Sequence, residues 1–144
     1  MRDAFDSDVL IYAAVPGHPL GERVASLFTA AALGAHVGTG SVLVLPEVLS
    51  KPLRDGSTEG VRRLAGLLSR LDLRPLDLAT AEVADEPTTS LAATYGLRAA
   101  VAAHLACAVT AGADRFITNS TKDFPVSITE VSVTYPADLA CSDS

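Results

Sequence analysis

The chain has 144 residues, the size of one ordinary domain; 49% of them are hydrophobic and 19% charged, a balance that excludes wholesale disorder. Tryptophan is absent and aromatics make up only 5%, so the core is aliphatic, built from Leu, Val, Ile and many Ala. A formal net charge of −6 excludes the global basic footprint of a protein that grips nucleic acid tightly and without specificity.

A local cationic patch survives that objection: Lys51, Arg54, Arg62, Arg63 and Arg70 fall in one segment, with Asp55 and Glu59 among them. It reads either as a solvated helix face or as a contact surface. Cys107 and Cys141 are far apart and show no zinc-type spacing; Cys107, in an apolar run, is expected to be a buried thiol. The N-terminus MRDAFDSD is too acidic for a signal peptide, and no apolar run approaches the length of a membrane span. A soluble, cytoplasmic protein with one domain over residues 1–144 and a loose tail at its last few residues is expected.

Taken in order, the chain alternates strands and helices. A short strand runs up to Asp6 in FDSDVLIYA. A helix is expected from Pro19 to Leu33, with Pro19 in its first turn, Val24, Leu27, Phe28 and Ala31 on one face and Gly34 as its stop. AHVGTG reads as a strand. Ser41 is a good N-cap for a helix from Val42 to Leu49, with Pro46 tolerable near its start and Lys51-Pro52 ending it.

GSTEGVRRLAGLLSRL gives another helix, with Val61, Leu64, Leu67, Leu68 and Leu71 on one face. LRPLDL is a short strand or extended link. Thr80 to Thr94 reads as helical but broken or kinked at Pro87, and Tyr95-Gly96 closes it. Leu97 to Ala111 is the clearest helix, closed by Gly112. RFIT and EVSVTY read as strands. This alternation predicts an α/β fold with a mainly parallel sheet and helices on both faces. Function in such sheets collects at the carboxyl ends of the strands, where Asp6, Asp8, Asn119 and Ser120 would lie.

Three segments carry candidate chemistry. Asp6-Ser7-Asp8 reads as a strand-end turn or as a ligand pair. Glu47 sits in the apolar stretch LVLPEVLSKP, and a glutamate is not fully buried without a partner; it is expected to point into a cleft or to pair with a cation there. FITNSTKDFP ends a strand at Thr118-Asn119 and adds Asp123, as a turn or as part of a site. Carboxylates converging from separate elements suit a hard divalent cation. Two such ions roughly 4 Å apart activate water and stabilise the leaving oxygen in phosphodiester cleavage. His104, at helical spacing from Ala100, Ala108 and Ala111, is expected to pack and hydrogen-bond between elements rather than act as a base.

FDSDVLIYA, LVLPEVL and YGLRAAVAAHLACAVTAGADRFITNSTKDFP, in that order, resemble a PIN domain, especially the VapC-like ribonucleases of toxin–antitoxin modules. The resemblance covers most of the chain, and Tyr95 to Phe124 is its most specific part. It implies a three-layer α/β/α PIN-like fold and a metal-dependent endoribonuclease that uses Mg²⁺ or Mn²⁺. It also implies a small antitoxin protein, RNA and a second copy of the chain as partners.

Carried over by position, the first family acid is Asp6, with Ser7 and Asp8 following it, and the second is Glu47. The third falls on Val101, and the fourth on Thr118-Asn119-Ser120, with Asp123 as a replacement. The resemblance thus implies Asp6, Glu47 and Asp123 as catalytic residues and Asp6, Glu47 and Asp8 at the metal. Ser7, Thr118, Asn119 and Ser120 would be accessory. Val101 and Ser120 depart from the pattern and imply an impaired nuclease or a non-catalytic module that binds RNA or a partner. A haloacid-dehalogenase-like phosphatase is a weaker alternative, because Leu10 stands where its motif wants Thr or Val and no acidic pair follows Lys122.

Overall fold

The computed structural model describes residues 1–75 and 87–140. Five strands form one parallel sheet: β1 (Asp3–Phe5), β2 (Gly38–Ser41), β3 (Leu71–Arg74), β4 (Arg115–Ile117) and β5 (Ser132–Thr134), in the order β3-β2-β1-β4-β5. The helices are α1 (Ser7–Ala13), α2 (Pro19–Ala30), α3 (Val44–Arg54), α4 (Thr58–Leu68), α5 (Pro87–Tyr95) and α6 (Ala99–Thr110).

Strand periodicity sorts the core into two layers. In β1, Phe5 faces one side with Val9, Val24, Phe28, Val44, Leu64 and Ile117. Ala4 faces the other with Leu91, Val101, Leu105, Phe116 and Phe124. Helices α1 to α4 therefore cover one face, and α5 and α6 the other, which is the expected three-layer α/β/α arrangement. A parallel sheet needs both faces covered because crossover helices pack on them. At the amino end, Asp3 and Arg115 are register partners joined by a bidentate ion pair of 2.8 and 2.9 Å, a fork geometry that holds β1 to β4.

Several boundaries differ from expectation. Ser7-Asp8, expected as part of a strand-end turn or a ligand pair, opens a helix, α1, that takes in the apolar run after it: Asp6 caps it, and Val9 and Leu10 are its fully buried residues. Helix α2 stops at Ala30 rather than Leu33, because Ala31 turns extended and Leu33, 97% exposed, has no core to reach. Helix α3 starts at Val44 rather than Val42, with Ser41 at the end of β2; the Ser41 hydroxyl still accepts from the Leu43 N–H at 3.2 Å.

Pro52 does not end α3, which runs on to Arg54. It lies in the last turn, where Asp55 and Ser57 N–H groups take the Lys51 and Pro52 carbonyls. Strand β3 begins at Leu71, before the expected LRPLDL, whose last residues lie outside the described ones. Helix α5 is described from Pro87 to Tyr95; the expected helical residues 80–86, and with them the expected break or kink at Pro87, fall outside the described residues, as do Cys141 and the expected loose tail. Cys107 is buried as expected. Among the described residues no single helix is long and apolar enough to cross a membrane.

Candidate active site

Asp6, Ser7, Asp8, Glu47, Val101, Ser120 and Asp123 line one cleft at the carboxyl edge of the sheet, together with Arg98 and His104. Asp6 is placed there twice over. Its N–H donates to the Ile117 carbonyl at 3.0 Å, extending the β1–β4 ladder by one rung. Its carboxylate then accepts from the Ser7 N–H at 2.8 Å as the cap of α1 and from the Thr118 hydroxyl at 2.8 Å. The side chain is left only 7% exposed. Burial pushes the Asp6 carboxyl above its ordinary range and the Glu47 charge adds to that, while the Thr118 bond, the His104 charge and the Ser7 N–H pull it back.

Asp8 faces the same edge but is largely spoken for. Its two oxygens accept from the Val9 N–H at 2.7 Å and the Asn119 N–H at 3.0 Å. Asn119 thus acts through its backbone, tying the start of α1 to the loop after β4. Ser120 closes that loop, its N–H donating to the Thr118 hydroxyl at 3.1 Å and its own hydroxyl to Asp123 at 3.1 Å.

Glu47, in the first turn of α3, meets His104 of α6: Nε2 lies 2.5 Å from Oε1. A carboxylate only accepts, so the shared proton belongs to Nε2, and the buried Nδ1 has no hydrogen-bond partner among the described residues. The sequence alternatives for Glu47 both hold. It opens into the cleft and it pairs with a group that can carry positive charge. His104, 4% exposed, joins elements as expected, and its partner is the cleft carboxylate itself. Asp123 is held by Arg98 at 3.2 Å and by Ser120. Arg98 was missed from the sequence; its one signal is a cation immediately before the helix of the most specific motif.

Whether these residues suit a divalent cation is decided by the donor set. Asp6 and Glu47 offer hard oxygens to one cleft. Asp8 has a hydrogen bond on each oxygen, as Asp6 does, but both of its donors are backbone N–H groups, tying the start of α1 to the loop after β4; Asp123 is paired with a guanidinium, and Val101 supplies no donor. Among the described residues no three His, Cys, Asp or Glu side chains form a metal-binding group. Mg²⁺, however, is commonly held by one or two carboxylates with water and substrate phosphates. The chain therefore fits one such ion at Asp6 and Glu47, and a cation there would relieve the strain of a buried carboxylate beside a like charge. The described residues do not supply a shell for two.

The acidic pair also shapes stability against pH. Burial, and then the Asp6 charge, raise the Asp8 carboxyl to about 7 from an ordinary value of 3.8, against the pull of the Asn119 and Val9 N–H groups. A carboxyl whose pKa is raised by folding binds its proton more tightly in the folded state. Its stabilisation is fully present below pH 3.8 and is lost as pH rises through about 7. We expect the metal-free protein to be more stable at pH 5.5 than at pH 8 by roughly 1–3 kcal/mol, discounted for the partly open cleft. Urea melts at the two pH values check this. In Asp8→Asn the difference should shrink, Asp6 contributing what remains; an equal or reversed difference in the parent refutes it.

No family model and no curated protein matches this sequence. Solved structures do. A chain of a toxin–antitoxin complex from Klebsiella pneumoniae superposes with a TM-score of 0.69 at 22% identity, covering 93% of this chain and 97% of that one. A chain of VapBC2 from Rickettsia felis, crystallised with a fragment of its promoter DNA, gives 0.64 at 16% identity over 94% and 98%. A chain of FitAB bound to a DNA fragment gives 0.66 at 20% identity over 96% and 97%. At these identities the likeness is one of fold: the five-stranded parallel sheet and its helices are shared over nearly the whole of each chain, in agreement with the PIN-like resemblance of the motifs.

Proposed function

We propose that this chain is a PIN-domain, VapC-like endoribonuclease, the toxin member of a toxin–antitoxin pair, with cleavage weakened by an incomplete metal shell. The observation that carries this is the convergence of Asp6 and Glu47, from β1–α1 and α3, on one cleft at the carboxyl edge of the sheet. The superposed toxin–antitoxin chains support it through the fold, and they make a small antitoxin protein the partner to look for. A homodimer and a cytoplasmic location belong to the same reading.

In this reading Asp6 and Glu47 hold one Mg²⁺ or Mn²⁺, which supplies Lewis acidity toward a phosphodiester oxygen. The remaining work belongs to the chain. Thr118 and Ser7 fix the Asp6 carboxylate, so that it needs no reorganisation when charge develops. His104 orients Glu47 from the opposite helix layer. Asp8 holds α1 to the Asn119 loop. Arg98, 79% exposed at the rim, offers a positive charge to a phosphate, and Asp123 with Ser120 sets its direction.

The test is RNA cleavage by the purified chain in Mn²⁺, followed on gels. Slow cleavage is expected, abolished by chelation and lowered at least 100-fold by Asp6→Asn, which retains the Thr118 contact but removes the charge. Cleavage unchanged in Asp6→Asn would sink the assignment. A second reading, a non-catalytic PIN-like module that binds RNA or a protein partner, is favoured by Val101 and by the Arg98–Asp123 pair across the cleft. It is selected if the chain binds RNA and cuts none of it.

A further inference from the structure

Glu47 does not stand alone on α3. Residues 47, 51 and 54 recur at four- and three-residue steps, which places Glu47, Lys51 and Arg54 on one stripe of the helix. At the helical rise, Lys51 stands about 6 Å and Arg54 about 10 Å along the axis from Glu47. All three are exposed. Among the described residues neither Lys51 nor Arg54 has an ion-pair partner, although Asp55 follows directly. The other cations of the segment are engaged. Arg62 and Arg63 share Glu59, and Arg70 donates to the Ala32 and Ala35 carbonyls.

In a chain of net charge −6, two unpaired cations leading out of an acidic cleft call for an explanation. Their position in the last turn of α3 also suits the helix dipole, an effect of a few tenths of a kcal/mol. That effect explains a cation at the helix end. It does not explain why both continue the stripe that begins at the cleft carboxylate.

We propose that Lys51 and Arg54 form a phosphate-binding ridge that guides the backbone of single-stranded RNA into the Asp6–Glu47 cleft, with Arg98 taking the strand on the facing rim. The ridge rests on the reading of RNA as substrate and adds to it where the strand lies. It resolves a conflict within the site, since a cleft of carboxylates repels the polyanion it must admit. Cations set one to two helical turns away supply the attraction without neutralising the carboxylates themselves. Binding should therefore be local and salt-sensitive, despite the acidic surface as a whole.

The experiment is fluorescence anisotropy of a short, unstructured, fluorescein-labelled RNA in Mn²⁺ buffer, repeated across a series of salt concentrations. Each lost phosphate contact lowers the slope of log affinity against log salt by about 0.7 for a single strand. Lys51→Gln/Arg54→Gln should lower the slope by about 1.4 and weaken binding at low salt, with the thermal midpoint lowered no further than the loss of the helix-end charges accounts for. Arg62→Gln/Arg70→Gln removes the same formal charge away from the stripe and should leave the slope nearly as it was. An equal fall in both variants, or none in the first, overturns the ridge while leaving the ribonuclease reading intact. If the parent binds no RNA at any salt, both readings fall.

Discussion

Val101→Asp is expected to convert a weak metal site into a strong one and, without metal, to destabilise the fold. Val101 is 9% exposed and lines the cleft with Asp6 and Glu47, and Asp is close to it in size. The new carboxylate adds a third hard donor and a negative charge, the two variables that set affinity for a cation of this class. Mn²⁺ affinity by calorimetry should rise at least 10-fold over the parent, a change of about 1.4 kcal/mol or more. The same carboxylate is desolvated beside two like charges, which in the apo protein costs roughly 1–3 kcal/mol.

Saturating Mn²⁺ must then return that loss, since a ligand bound only to the folded state stabilises it in proportion to the logarithm of its concentration over Kd. RNA cleavage should rise with the affinity. Val101→Asn separates the effects: it should show only the smaller part of the destabilisation that comes from burying a polar group, without the gain in Mn²⁺ affinity. Equal Mn²⁺ affinity in the parent and Val101→Asp would mean that position 101 is no part of the ion's surroundings, and the account of a depleted shell would fail.

The residues that converge in the cleft were legible where polarity conflicted with context. Asp6 and Glu47 stand out because each interrupts an apolar run at the end of an element, and Thr118 because it follows a short apolar strand. What was not legible depends on distant partners. Arg98 meets an acid 25 residues away, and Asp8 is taken up by a backbone N–H 111 residues away; neither contact leaves a local pattern. Helix α1 was missed for a related reason. DVLIYA is rich in strand-forming residues, and seven residues are too few to show a helical period. Its conformation is decided by the Asp6 cap and by burial of Val9 and Leu10, a tertiary effect that overrides propensity. The alternation of elements survived these local errors because a parallel sheet covered on both faces needs only the order and spacing of its apolar segments.

The face that α2 turns to α1 is where a single methyl group should do great harm. Gly21→Ala is expected to destabilise the protein by about 2 kcal/mol or more, although helix propensity alone favours Ala over Gly by about 1 kcal/mol. A Cβ on Gly21 would lie 2.0 Å from the Tyr12 carbonyl oxygen and 2.5 Å from its carbon. Both are main-chain atoms, so no rotamer change relieves the overlap, and α1 and α2 must separate. Gly66→Ala is the matched comparison. It lies inside α4 with no atom of the described residues within 4 Å of the new Cβ, so there propensity should prevail and raise stability by about 0.5–1 kcal/mol.

Opposite signs for two Gly→Ala changes in helices, read as shifts in urea midpoint, would establish that the α1–α2 contact is limited by backbone approach. A stabilising Gly21→Ala would refute it. The consequence reaches the cleft, because Tyr12 ends the helix that Asp6 and Asp8 begin. Moving α1 off α2 strains the Thr118 and Asn119 bonds at its other end, so in Gly21→Ala any RNA cleavage should fall further than the lost stability explains, under conditions where the variant is still fully folded.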